Sequence, residues 1–125
     1  MIGLTNSSLS IFVSLEPCDM RKSFNGLFEI ASNHLGNQRL AAGAIFVFTN
    51  KRRNRIKLLC FDGTGLWVAA KRLEKGAFSW PKPSEPAQRK LKLAPEALQL
   101  LLDGVDLRGA SFRPWYERDP EGGSV

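Results

Sequence analysis

The sequence predicts an α+β fold, an antiparallel meander of about four to five strands with two helices packed on one face. Three observations carry that expectation. Short apolar runs alternate with period two, two longer windows repeat every three or four residues, and turn-forming clusters separate them.

The run "SLSIFVSLEP" (8–17) alternates apolar and small polar residues and stops at Pro17, as a first strand should. In "CDMRKSFNGLFEIASNHLGN", Met20, Phe24, Leu27, Phe28, Ala31 and Leu35 recur at helical steps. Asp19 is placed to cap this helix and Gly36 to end it. Gly26 costs a helix interior about 1 kcal/mol against alanine, so it marks a bend or a close packing contact. "AIFVFTN" (44–50) carries no charge and reads as a central strand. "RIKLLCF" (55–61) and "GLWVAAKRL" (65–73) flank the turn Asp62-Gly63-Thr64-Gly65, and "GAFSW" (76–80) is a shorter strand. Three prolines in "PKPSEP" (81–86) make a loop, "RKLKL" alternates again, and Pro95 opens a second helix that Gly104 terminates. One α+β domain over 1–107 is expected, followed by an irregular tail over 108–125 whose last residues are disordered.

No stretch reaches the roughly 20 apolar residues of a membrane span, and "MIGLTNSSLSIF" lacks a signal peptide's basic start. A cytoplasmic protein without membrane contact is expected. Cys18 and Cys60 lack metal-ligand spacing and read as reduced, partly buried thiols. His34 has no identifiable nucleophile beside it and reads as a surface or capping histidine. Asp19, Asp62 and Glu74 could be assembled into a two-metal site, but a cap, a turn and a counter-charge beside Lys71, Arg72 and Lys75 explain them more simply. "GTG" lacks the lysine and hydroxyl of a phosphate-binding loop. Neither a catalytic constellation, a metal site nor a cofactor is expected.

Charge is the informative quantity. The net value of +6 is unevenly spread: −1 over residues 1–38, +10 over 39–92 and −3 over 93–125. A focused positive field suits a polyanion, DNA or RNA. Its densest part is "KRRNRIK" (51–57), with five cations in seven positions. If 44–50 and 55–61 pair, Lys51, Arg52, Arg53 and Asn54 form a hairpin tip. A four-residue turn at 62–65 then opposes Phe61 to Leu66 and Arg55 to Arg72, which puts Arg55, Lys57 and Arg72 on one sheet face. Like charges opposed across strands repel, and an anion lying against them relieves the repulsion. The aromatics Phe61, Trp67, Phe78 and Trp80 interleave with this charge and are expected in the core.

Three stretches together resemble one family: "DMRKSFNGL" (19–27), "IFVFTNKRRNRIKLLCFDGTGLWVAAKRLEKGAFSWP" (45–81) and "LAPEALQLLLDGVD" (93–106). The family is that of the TnpB accessory proteins, second open-reading-frame products of the IS-sixty-six insertion sequences, distinct from the RNA-guided nuclease of the same name. The resemblance spans roughly residues 1–107. Asp19-Met20-Arg21-Lys22 and Lys71-Arg72-Leu73-Glu74 match its motifs, while Ser23, Asn25 and Phe61 depart from its usual glycine, aspartate and tryptophan. It implies a non-catalytic helper in DNA transposition that assists a separate, larger transposase.

The expected nucleic-acid-binding residues are Arg21, Lys22, Lys51, Arg52, Arg53, Arg55, Lys57, Lys71 and Arg72. DNA and the element-encoded transposase are the expected partners. The alternative is a protein–protein adaptor that grips the transposase and does not itself contact DNA.

Overall fold

The computed structural model describes residues 10–35 and 43–104. Its elements run β1 (Ser10–Ser14), α1 (Phe24–Leu35), β2 (Ala44–Thr49), β3 (Arg55–Phe61), β4 (Leu66–Arg72), β5 (Lys90–Leu93) and α2 (Pro95–Leu102). The five strands form one sheet in the order β4-β3-β2-β1-β5. The fold is α+β and the sheet mostly antiparallel, as expected. The Gly36 stop and the 108–125 tail lie outside the described residues.

The meander differs from expectation at its start, because β1 and β2 run parallel with Ile11 beside Ile45 and Val13 beside Val47. A parallel pair needs a crossover, and the connection carrying α1 supplies one. The helices also differ from expectation, since they take opposite faces of the sheet. Leu27 and Ala31 of α1 pack with Phe46, Phe48 and Leu59. Ala97, Leu98 and Leu101 of α2 pack with Ile11, Val13, Ile45, Val47 and Ile56. The reason is visible in β2, where all six residues of "AIFVFT" are buried. Alternate residues of a strand point to opposite faces. An uncharged strand therefore needs apolar cover on both.

Two local expectations, the Asp19 cap and the strand over 76–80, are also corrected. Asp19 does not cap α1. Its carboxylate accepts the Arg21 N–H at 2.9 Å and its carbonyl accepts the Lys22 N–H at 3.1 Å, which closes a separate turn ahead of the helix. The helix proper starts at Phe24, with the Leu27 N–H on the Ser23 carbonyl at 2.8 Å. Gly26 marks a close contact: a Cβ there would meet Cβ and Cγ of Lys22 at 3.1 Å, so its absence lets the lysine stem lie along the helix.

The segment 76–80 forms no strand. Gly76 takes a positive φ of 73°, which turns the chain off the ladder. The segment instead drives Phe78 and Trp80 into the α2-side core, with the Trp80 indole N–H donating to the Ser14 carbonyl at 3.0 Å. Those two aromatics are core residues as expected. Phe61 is half-buried and Trp67 exposed.

Phe46 is fully buried and stacked between Phe12, at 5.3 Å, and Phe48, at 5.8 Å. Phe46→Ala opens a cavity under α1 and should lower unfolding free energy by about 3–5 kcal/mol. Chemical denaturation monitored by circular dichroism measures this; a drop below about 1 kcal/mol would show that the α1-side core is not a close-packed support.

Candidate nucleic-acid interface

β2 and β3 form the expected hairpin, with Thr49 opposite Ile56. Its tip is clasped by two asparagines. Asn50 Nδ2 donates to Asn54 Oδ1 at 2.7 Å, and Asn50 Oδ1 accepts the N–H groups of Asn54 and Arg55 at 3.1 and 3.2 Å. Inside this clasp Arg53 adopts φ +57°, and its carbonyl accepts the Phe78 N–H at 2.6 Å. Leu73 N–H donates to the Asn54 carbonyl at 2.9 Å. The tip is thus tied to the chain beyond β4 rather than projecting free. Lys51 and Arg52 are exposed on it, while Arg53 is half-buried.

The register of β3 with β4 is as the turn implied: Phe61 opposes Leu66 and Arg55 opposes Arg72, with Lys57 opposite Ala70. Arg55, Lys57 and Arg72 share the α1 side of the sheet. Arg21 and Lys22 approach this end from the turn ahead of α1, where Lys57 Nζ donates to the Lys22 carbonyl at 2.7 Å. Two adjoining clefts result. One, of about 540 Å³, is bordered by Pro17, Cys18, Arg21, Asn50, Lys51 and Arg55. The other, of about 410 Å³, is bordered by Arg55, Lys57, Ala70, Lys71, Arg72 and Glu74. Met20 and Arg55 line both.

Not every expected cation is available. Arg21 is held by its neighbour: Nε reaches both Asp19 oxygens at 3.1 Å and one terminal nitrogen reaches Oδ2 at 2.8 Å. This interaction holds the Asp19 carboxyl down to about 2. Arg72 has a looser partner in Glu74, at 3.8 Å. Lys71 falls on the other face, since it opposes Ile56, and its Nζ donates to the Leu102 carbonyl at the C-terminus of α2 at 2.6 Å. That is a helix-capping position, where a cation meets the negative end of the dipole.

The three acids are dispersed in function. Asp62 Oδ1 accepts the N–H groups of Thr64 and Gly65 and the Thr64 hydroxyl, each at 2.9 Å, while Oδ2 accepts the Trp67 indole N–H at 2.7 Å. These donors, the indole first, hold its carboxyl well below the usual carboxylate range. Among the described residues no three His, Cys, Asp or Glu side chains are grouped so as to hold a metal ion. His34, in the last turn of α1, is half-buried rather than on the surface; its ring stacks on Phe46 and burial lowers its pKa. Its Nε2 lies 3.2 Å from Ser14 Oγ, but Ser14 is 1% exposed and so sheltered from any substrate. Burial likewise raises both thiols, Cys18 and Cys60, which are free. Among the described residues no helix is long and apolar enough to cross a membrane.

Sequence reasoning missed Met20 as the shared lining of both clefts and the asparagine clasp beneath the cations. The clasp had a legible signal, because asparagines bracketing a tight turn hydrogen-bond local backbone. Met20 had none, since its helical spacing placed it in the core.

The chain matches the model of the IS66 Orf2-like protein family over residues 9–111. Two relatives come from Sinorhizobium fredii (strain NBRC 101917 / NGR234). Uncharacterized protein y4jC is 35% identical over 117 residues, covering 91% of this chain and 93% of the relative. Uncharacterized protein y4hO is 29% identical over 104 residues, covering 83% and 87%. No solved structure matches the chain.

The hydrogen bonds of Asp62 give a prediction about acid stability. A carboxyl whose folded pKa is depressed stabilises the fold above its unfolded pKa of about 4 and loses that contribution as pH falls through the folded value. Urea midpoints should therefore hold from neutrality to about pH 4 and decline below it, with Asp19 contributing down to about 2. Asp62→Asn should flatten the acid decline and shift Trp67 emission; an unchanged decline would mean that the turn bonds do not persist in solution.

Proposed function

We propose that this chain, which belongs to the IS66 Orf2-like family of insertion-sequence accessory proteins, binds DNA through the clefts around Arg55 and assists a separate transposase without performing catalysis itself. The observation that carries the reading is the direct opposition of Arg55 and Arg72 across β3 and β4, with Lys57 next along the same face. Like charges directly opposite destabilise a sheet. Phosphate between them turns that cost into affinity. Lys51 and Arg52 extend the cationic track along the hairpin tip, and Lys22 closes it at the start of α1. Interactions of this kind position a protein on the phosphate backbone and read no sequence.

Arg55→Glu separates binding from folding, because the two effects have opposite sign. A glutamate there would face Arg72, and stability should rise by about 0.2–1 kcal/mol. Affinity for duplex DNA should fall roughly tenfold or more, and the log–log salt dependence should become shallower by about 0.9 for each phosphate no longer neutralised. Electrophoretic shifts across a salt series, with Lys82→Glu as a surface control outside the clefts, measure both. Wild-type protein that fails to bind DNA at low salt would overturn the reading and favour the transposase's acidic segments as the anion.

A further inference from the structure

The two edges of the sheet are unlike. β5 is four residues long, carries Lys90 and Lys92, and runs into the proline that starts α2. Short length, lysines and proline are how proteins protect an edge from pairing. β4 has seven residues, its register with β3 is unbroken, and its first five, Leu66-Trp67-Val68-Ala69-Ala70, bear no charge.

The hydrogen-bond phase of β4 shows what its free edge offers. Leu73 N–H donates to Asn54 and Asp62 N–H to Gly65, so 54/73 and 62/65 are hydrogen-bonded pairs of the β3–β4 ladder. Such pairs alternate with non-bonded ones in an antiparallel ladder. The backbone groups of Trp67, Ala69 and Lys71 therefore point to β3. Those of Leu66, Val68, Ala70 and Arg72 point outward, and no described residue pairs with them. Large exposed hydrophobics occur on both sides of the sheet here. The three that are exposed among the described residues are Trp67, in β4 itself, and Phe24 and Phe28 of α1, the helix over β3 and β4.

We propose that β4 pairs antiparallel with β4 of a second copy of this chain, about a two-fold axis at Ala69. The phase and the charges select this arrangement. The axis at Ala69 matches the outward groups Leu66 with Arg72 and Val68 with Ala70, so all four outward residues of each strand are bonded. Charge sets the direction. Parallel pairing would stack Lys71 and Arg72 on their own copies. Antiparallel pairing puts Lys71 across from Trp67, whose indole carries the Asp62 carboxylate, and Arg72 across from Leu66. Neither cation then meets its own copy. The two Arg72 residues then lie on the same face of a continuous sheet, roughly 20 Å apart along the strand direction, from six residues at the usual rise.

Sedimentation across micromolar concentrations, using the full chain, tests the pairing. The expected species has twice the 13.9 kDa chain mass. Ala70→Pro removes one outward N–H and leaves the β3 ladder intact, since proline is tolerated on an edge whose N–H faces solvent. It should yield a folded monomer. Ala69→Cys is the second arm. At the axis its Cα would sit about 4.5 Å from its copy, within disulfide range, so oxidation should give a covalent dimer that wild type and Ala70→Cys do not form. A monomer at every concentration without the Ala69→Cys cross-link overturns the proposal. So does a dimer that survives Ala70→Pro, and so does an edge whose amides gain hydrogen-exchange protection only when transposase is added.

Discussion

Everything in this molecule is arranged around a strand that has no wet side. β2 buries all six of its residues, so each face of the sheet must carry its own apolar layer. α1 provides one and α2, with Phe78 and Trp80, the other. Placing one helix on each side also decides the topology. The chain must cross over the sheet between β1 and β2, which makes that pair parallel while every other pairing stays antiparallel.

The same constraint decides where charge can sit. The middle of the sheet is sealed on both faces, so β2 carries no cation and those of β3 and β4 sit at the ends nearest the tip. That is where Arg55, Lys57 and Arg72 lie, beside the turn that carries Arg21 and Lys22. The basic clefts are thus a by-product of how the core is covered. Their net field is smaller than the formal count, because Asp19 pairs with Arg21 and Glu74 with Arg72.

Much of this is legible in the residues. Periodicity locates all five strands and both helices, and the four-residue turn at Asp62 sets the β3–β4 register, because its length leaves one pairing that keeps the apolar face inward. The placing of the helices is not legible, since an uncharged strand implies cover without saying which helix supplies it. The role of Asp19 is ambiguous in sequence, because an aspartate before a helical pattern caps equally well a helix or the turn ahead of it. Segment 76–80 has strand-like composition but is held by tertiary burial of its aromatics, which no local pattern reports. Lys71 and Arg72 are adjacent in the chain yet serve different surfaces, because neighbours in a strand face opposite ways. The family match over residues 9–111 covers all the elements described, so fold and membership rest on the same stretch of chain.

The asparagine clasp at the hairpin tip has a thermodynamic consequence. A flexible basic loop must surrender backbone freedom when it meets its ligand, at roughly 1–2 kcal/mol for each residue fixed. Here Asn50, Asn54 and the Arg53–Phe78 bond have already removed that freedom during folding. Only the side-chain rotamers of Lys51 and Arg52 remain to be ordered. The tip behaves as a rigid bearing surface, and its affinity is set by charge and geometry with little entropic penalty from the backbone.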